Sequence, residues 1–261
     1  MLTSVHNPKI KYLLSLGKAR ERKSLGLFVI EGVKELSLAI HARYAIESIF
    51  YCPDLVDETT LASIGISPAY RHAVSASVFE KIAYRESTGG VIAIGRQKKH
   101  TLQDLQLSKN PLLLILEGVE KPGNLGAMLR TADAAGLDAV IICDPLTDFY
   151  NPNVIRSSVG CVFTRQTACA NSAETQQWLR QQGIKIFCTY LKGAMPYTRA
   201  DYRGPCALVM GTESTGLTST WTDSADGNII IPMQGVIDSM NVSVAAAVVV
   251  FEALRQRQVG R

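Results

Sequence analysis

Residues 111–136 read PLLLILEGVEKPGNLGAMLRTADAAG. The first eight are an apolar run closed by Glu117 and Gly118, the pattern of a strand buried on both faces of a parallel sheet. After a short polar loop a helix is predicted from about Gly123 to Ala135, with Pro122 near its start and Gly136 as its stop. The alternation continues downstream. Strands are predicted at 138–144, 161–168, 184–191, 206–211 and 228–233, and helices near 153–158 and 171–182. A long Ala/Val-rich helix from about Met240 to Gln256 closes the chain, and its apolar residues all round imply burial on several sides. Upstream, strands at 27–32, 46–52 and 89–95 alternate with a basic helix ending near Lys23 and a helix at 33–42. The chain therefore reads as an α/β protein of two units, 1–96 and 111–261, joined by a polar linker at 97–110.

Composition narrows the class. Of 261 residues 47% are hydrophobic and 19% charged, which argues for a real core and against disorder. Six cysteines stand at 52, 143, 161, 169, 188 and 206 without a CxxC pair, several inside apolar runs. They read as reduced core thiols of a cytoplasmic protein, and no metal site is expected. The N-terminus has no signal-like apolar region, and the longest apolar stretch, 244–251, falls short of the ~20 residues a membrane span needs. Formal charge is +4. Residues 1–110 hold 15 Lys+Arg and 10 Asp+Glu, a net of +5, and the remainder a net of −1. Lys9, Lys11, Lys18, Arg20, Arg22 and Lys23 face a single acid, Glu21, within the first 23 residues. Such a cluster is either a nucleic-acid footprint or a solvated helix start, and charge alone does not choose.

Phosphate-loop, zincin, α/β-hydrolase and GxGxxG motifs are absent, which leaves a nucleotide-dependent oxidoreductase without its glycine pattern. All four histidines precede residue 101, so the C-terminal unit carries no histidine general base. It carries instead three polar clusters, each after a buried strand: 117–136 with Asn124 and Arg130, 208–217 with Gly211 and Glu213, and 231–247 with Ser239 and Asn241. Singly these are caps and turn residues. Together, at the carboxyl ends of parallel strands, they point to one shared site.

The set NxGAxxRTA (124–132), LVMGxExxGL (208–217) and IPMxxxxxSMNVSVAA (231–246) resembles the three motifs of the SpoU/TrmH family of RNA ribose 2′-O-methyltransferases, of the SPOUT class. Order and spacing agree over roughly residues 111–257, and LFVIEGVKEL (27–36) with GGVIAIG (89–95) resembles the L30e-like RNA-binding domain that many members carry. The resemblance implies a parallel sheet with helices on both faces, a deep trefoil knot and a homodimer. It also implies S-adenosylmethionine as cofactor and RNA as substrate, ribosomal RNA ahead of tRNA. Carried over by motif, Gly211, Ile231 and Met240 line the cofactor, with Thr189 a further candidate. Asn124, Arg130, Glu213, Ser239 and Asn241 form the catalytic shell. Arg130 is expected to return toward the loops of Gly211 and Asn241 and grip phosphate and ribose, with Glu213 orienting it or receiving the proton through water. The basic N-terminal residues would contact the RNA. An inactive RNA-binding protein of the same fold is the alternative, against which the intact polar set argues.

Overall fold

The structure is a computed structural model, described for residues 1–65, 67–84, 89–192 and 194–259. It divides into two compact units, one of residues 1–99 with 148–164, the other of 100–147 with 165–261.

In unit 1 the expected basic helix is two: α1 (Pro8–Ser15), capped by Asn7, and α2 (Ala19–Leu25). There follow β1 (Leu27–Glu31), α3 (Val33–His41), β2 (Ile46–Tyr51), α4 (Glu58–Ser63), β3 (Arg71–Ala73), α5 (Ala76–Ile82) and β4 (Val91–Arg96). The strands form a mixed sheet in the order β1-β4-β2-β3. Alternating apolar residues such as Phe50, Ile92 and Ile94 meet Ile10 and Leu13 of α1 and Val78 and Phe79 of α5 in one core.

Unit 2 opens with β5 (Leu112–Glu117), α6 (Pro122–Ala135) and β6 (Ala139–Cys143). All six residues of β5 are buried, as their apolar run requires. Gly136 takes φ +66° and donates its N–H to the carbonyls of Ala132 and Asp133, ending α6 where the sequence says it should. The chain then enters unit 1 with α7 (Pro152–Ser157) before returning as β7 (Gln166–Ala170), α8 (Ser172–Gln181), β8 (Lys185–Thr189), β9 (Met195–Pro196), β10 (Cys206–Met210), α9 (Ser219–Thr222), β11 (Gly227–Ile230) and α10 (Val242–Val259). The sheet is parallel throughout, in the order β7-β6-β5-β10-β8-β11-β9. β10 lies between β5 and β8, so the ends of these central strands face one region of space. α10 packs on α6 and buries Ala246, Val249, Val250 and Ala253, while Val244 and Phe251 stay half exposed. The last helix is thus not covered on every side.

Three expected boundaries move. Of the stretch read as a linker, residues 97–99 belong to unit 1 and the rest to unit 2, where Leu102 is buried in the core with Leu105 and Leu107 packed beside it. Ser108 N–H donates to Asp138 and Gln106 N–H to Gln166. Residues 148–164 belong to unit 1, where Tyr150 lies 4.4 Å from the Phe28 ring and Phe163 5.0 Å from that of Tyr44. The strand expected at 161–168 starts only at Gln166, because Cys161–Phe163 form a 3₁₀ turn that buries Val162 and Phe163.

Among the described residues no helix is long and apolar enough to cross a membrane, and no group of three or more His, Cys, Asp or Glu side chains could hold a metal ion. The cysteines are free thiols; burial pushes Cys143 and Cys188 up to about 12, which leaves them inert near neutral pH.

Candidate active site

Segments at the ends of β5, β8, β10 and β11 enclose a cleft of about 460 Å³ in unit 2. Its floor is apolar, with Met210, Ile229, Ile230 and Val249 supplied by β10, β11 and α10. Thr189, Gly211, Ile231 and Met240 all lie on its wall. Thr189 is fixed by its hydroxyl, which donates to the Val209 carbonyl at 3.0 Å. Gly211 is obligatory for a steric reason. A Cβ there would stand 2.4 Å from the Gly216 carbonyl carbon, because the 212–216 turn folds back on itself through paired Thr212–Gly216 backbone bonds. At Gly211 the loop consequently offers backbone to the cleft.

The turn is anchored from behind by Glu117, a buried carboxylate at the end of β5. It accepts from the Thr218 N–H (2.9 Å) and the Thr218 hydroxyl (2.6 Å), and shares the proton of the Ser172 hydroxyl (3.1 Å) with Asp144 Oδ2 (2.6 Å). The Ser172 hydroxyl in turn accepts from the Trp221 indole at 3.1 Å. A buried carboxylate satisfied by three donors holds the strand-end loops in one arrangement.

At the mouth Glu213 is the hub. Its Oε1 accepts from the amides of Asn124 and Asn241, the latter at 3.0 Å, and its Oε2 pairs with the Lys121 ammonium. Asn241 also donates to Asn124 Oδ1 at 3.2 Å, and its own Oδ1 caps α10 by accepting from the N–H and hydroxyl of Ser243. The Lys121 ammonium, then desolvation in the opposite sense, then the Asn124 amide act on Glu213, and the result holds its carboxyl below the usual glutamate range. The same pair raises Lys121. Ser239 is exposed on the cleft wall and donates to Asp238 at 3.2 Å.

Three expectations change here. Glu213 engages Lys121, not Arg130. Arg130 is exposed, has no protein partner among the described residues and does not line the cleft of its own chain. Six residues along α6 carry it about 9 Å from Asn124 and some 120° round the axis, which turns it away from the loops. Arg22 does not face solvent: it is 2% exposed, pairs with Asp148 at 2.6 Å and donates to the carbonyls of Leu16 and Gly17. Lys9, Lys11, Lys18, Arg20 and Lys23 are exposed. Lys121 is the residue that the sequence reading missed. A lysine before a helix-opening proline carries no signal of its own; only its place three residues before Asn124 marks it.

Comparison with known proteins fits this geometry. Residues 111–251 match the SpoU rRNA methylase family and residues 7–93 the MRM3-like substrate-binding domain. The 23S rRNA (guanosine(2553)-2′-O)-methyltransferase RlmP of Bacillus subtilis is 29% identical over 96% of this chain and 97% of its own length. RlmB of Photobacterium profundum, a 23S rRNA (guanosine-2′-O-)-methyltransferase, is 38% identical over 77% of this chain and 83% of its own. The AdoMet-bound rRNA methyltransferase of Sinorhizobium meliloti superposes with a TM-score of 0.88 at 30% identity, covering 97% of each chain. With its motifs assembled around one cleft and its sequence matched along both units, the chain belongs to the SpoU rRNA methylase family.

Proposed function

We propose that the chain transfers the methyl group of S-adenosylmethionine to a ribose 2′-hydroxyl of ribosomal RNA. The observation that carries this reading is the convergence of three family motifs on Glu213 at the mouth of one cleft. Ribosomal RNA is favoured over tRNA because relatives named as rRNA methyltransferases align along nearly the whole chain. The tRNA modifying enzyme of A. aeolicus covers 59% of it.

The cleft suits the cofactor. Its apolar floor fits an adenine, and the backbone of the Gly211 loop, with Thr189, offers polar contacts at the edge. Gly211, Ile231, Met240 and Thr189 are the residues that hold it. When bound, S-adenosylmethionine supplies an electrophilic methyl group on a sulfonium. The chain must place the ribose oxygen in line with that carbon, and Asn124, Glu213, Ser239 and Asn241 form the polar rim that orients the ribose. The same rim would have to take the ribose hydroxyl proton, with water at the exposed mouth carrying it to the Glu213 carboxylate or to solvent.

Arg130 is assigned to RNA phosphate and ribose at the cleft of a second copy in a homodimer, since it stands off its own. A guanidinium stays protonated in proteins, so it acts as a bidentate fork and not as the base. Val244 and Phe251, one heptad apart, give α10 a half-exposed apolar stripe for that second copy. The exposed cations of α1 and α2 meet the RNA backbone, and a cytoplasmic location accompanies a ribosomal substrate.

The test is single-turnover transfer of labelled methyl to 23S rRNA, joined to mapping of 2′-O-methyl sites in a strain lacking the gene. Calorimetry in chelator should register S-adenosylmethionine binding without divalent metal. Binding of NADH or a nucleoside triphosphate in its place would overturn the reading.

A further inference from the structure

We infer that Lys121 is a positioning residue for methyl transfer: it fixes the Glu213 carboxylate as the common acceptor of Asn124 and Asn241, and so sets the three loops at the reacting edge of the cleft. The inference rests on the proposed transferase reading.

Each link is a contact. Lys121 stands between β5 and α6, where it gives α6 no side-chain cap; its ammonium reaches across the cleft mouth to Glu213 Oε2. The other oxygen, Oε1, binds one amide from the start of α6 and one from the start of α10. Asn241 thereby spends its N–H₂ on Glu213 and Asn124 and its oxygen on Ser243, so displacement of the carboxylate disturbs the cap of α10 and with it Ser239 and Met240 on the cleft wall. Lys121 is itself two-thirds exposed, and an exposed pair of this kind contributes little to folding. Arrangement of the site is the role that remains. Without the ammonium, Glu213 would protonate more readily, and a neutral carboxyl is a weaker acceptor for the two amides than the anion. Among the described residues the other charged groups around this mouth are Glu120, beside Lys121, and Asp238 on the loop before α10; neither is a cation that could substitute.

The experiment compares Lys121→Met and Lys121→Arg in the full-length protein, with 23S rRNA as the probe. In Lys121→Met, kcat near pH 6.5 should fall about thirtyfold while KM for S-adenosylmethionine changes less than about threefold. The acid limb should move to higher pH, because a carboxyl relieved of its cation loses its charge sooner as pH falls. Melting temperature should stay within about 2 °C, and Lys121→Arg should recover most of the rate and the acid limb. Carbon-13 NMR of the Glu213 carboxyl, which needs no activity, should give a raised midpoint in Lys121→Met alone. A rate within threefold of wild type, an unmoved NMR midpoint, or an equal loss in both variants accompanied by lower stability overturns the inference. A wild-type protein that methylates no ribosomal RNA overturns the transferase reading instead, and the NMR comparison still decides the role of Lys121.

Discussion

The cleft of unit 2 and the basic face of unit 1 use polar residues in opposite ways. Around the cleft a few groups from distant segments are locked together: Lys121, Asn124, Glu213 and Asn241 share one network, and Gly211 has no room to change. On α1 and α2 the exposed cations point to solvent, Lys9 meeting the His72 ring at 3.2 Å, while Arg22, with a tight set of partners, is turned inward. A site made by shape fails when one part fails, whereas a face made by charge degrades in small steps. Under the proposed function the difference would separate two jobs, chemistry that needs ångström placement and a non-specific grip on a polyanion.

The contrast breaks first at Arg22. Arg22→Ala leaves Asp148 Oδ2 and two carbonyls without the guanidinium that donates to them, and we expect a loss of about 3 kcal/mol in denaturant unfolding. Unchanged stability with weaker RNA binding would return Arg22 to the charged face. Next comes Arg130, exposed and without a protein partner among the described residues, whose replacement should spare folding and cofactor affinity. Arg130→Lys and Arg130→Ala should each lose about 2 kcal/mol of transition-state stabilisation, roughly thirtyfold in single-turnover rate. Near wild-type transfer in Arg130→Lys would mean that charge alone suffices. Gly211→Ala forces the 212–216 turn apart, and calorimetry should find S-adenosylmethionine about tenfold weaker, or about 1.4 kcal/mol. Retained affinity would mean that the cofactor does not rest on this loop. The smallest effects belong to the basic face: Lys11→Gln or Lys18→Gln should weaken RNA binding a few-fold and lower the salt slope by about 1 per contact. An unaltered slope on replacing all five exposed cations would reduce them to solvation.

How far the sequence could be read follows the same division. Buried strands such as β5 and β6 announce themselves by apolar runs, and α6 by the proline and glycine at its ends. The loops of Gly211, Glu213 and Asn241 are legible because their spacing is tied to those strands. What escaped depends on neighbours far along the chain. The three leucines at 102, 105 and 107 follow no regular period, yet they pack on unit 2. Arg22 looks like the lysines around it until Asp148, 126 residues later, comes beside it. Arg130 sits within a motif, but helical geometry turns it from the cleft that the motif marks. Lys121 acquires meaning only through Glu213, 92 residues on.

The excursion of residues 148–164 into unit 1 orders events on the ribosome. Domains commonly fold in the sequence of their synthesis, but here the first unit still lacks Tyr150, Val154, Ile155 and Phe163 when its own opening stretch has emerged. The nascent N-terminal unit must wait, incompletely sealed around Phe28 and Tyr44, while β5, α6 and β6 of its neighbour are being made. Neither half can be cut out cleanly at a single point in the gene. A fragment lacking residues 1–96 carries the orphaned aromatics of the excursion, a patch that invites self-association, so a dissected catalytic half needs that segment replaced by a short polar bridge.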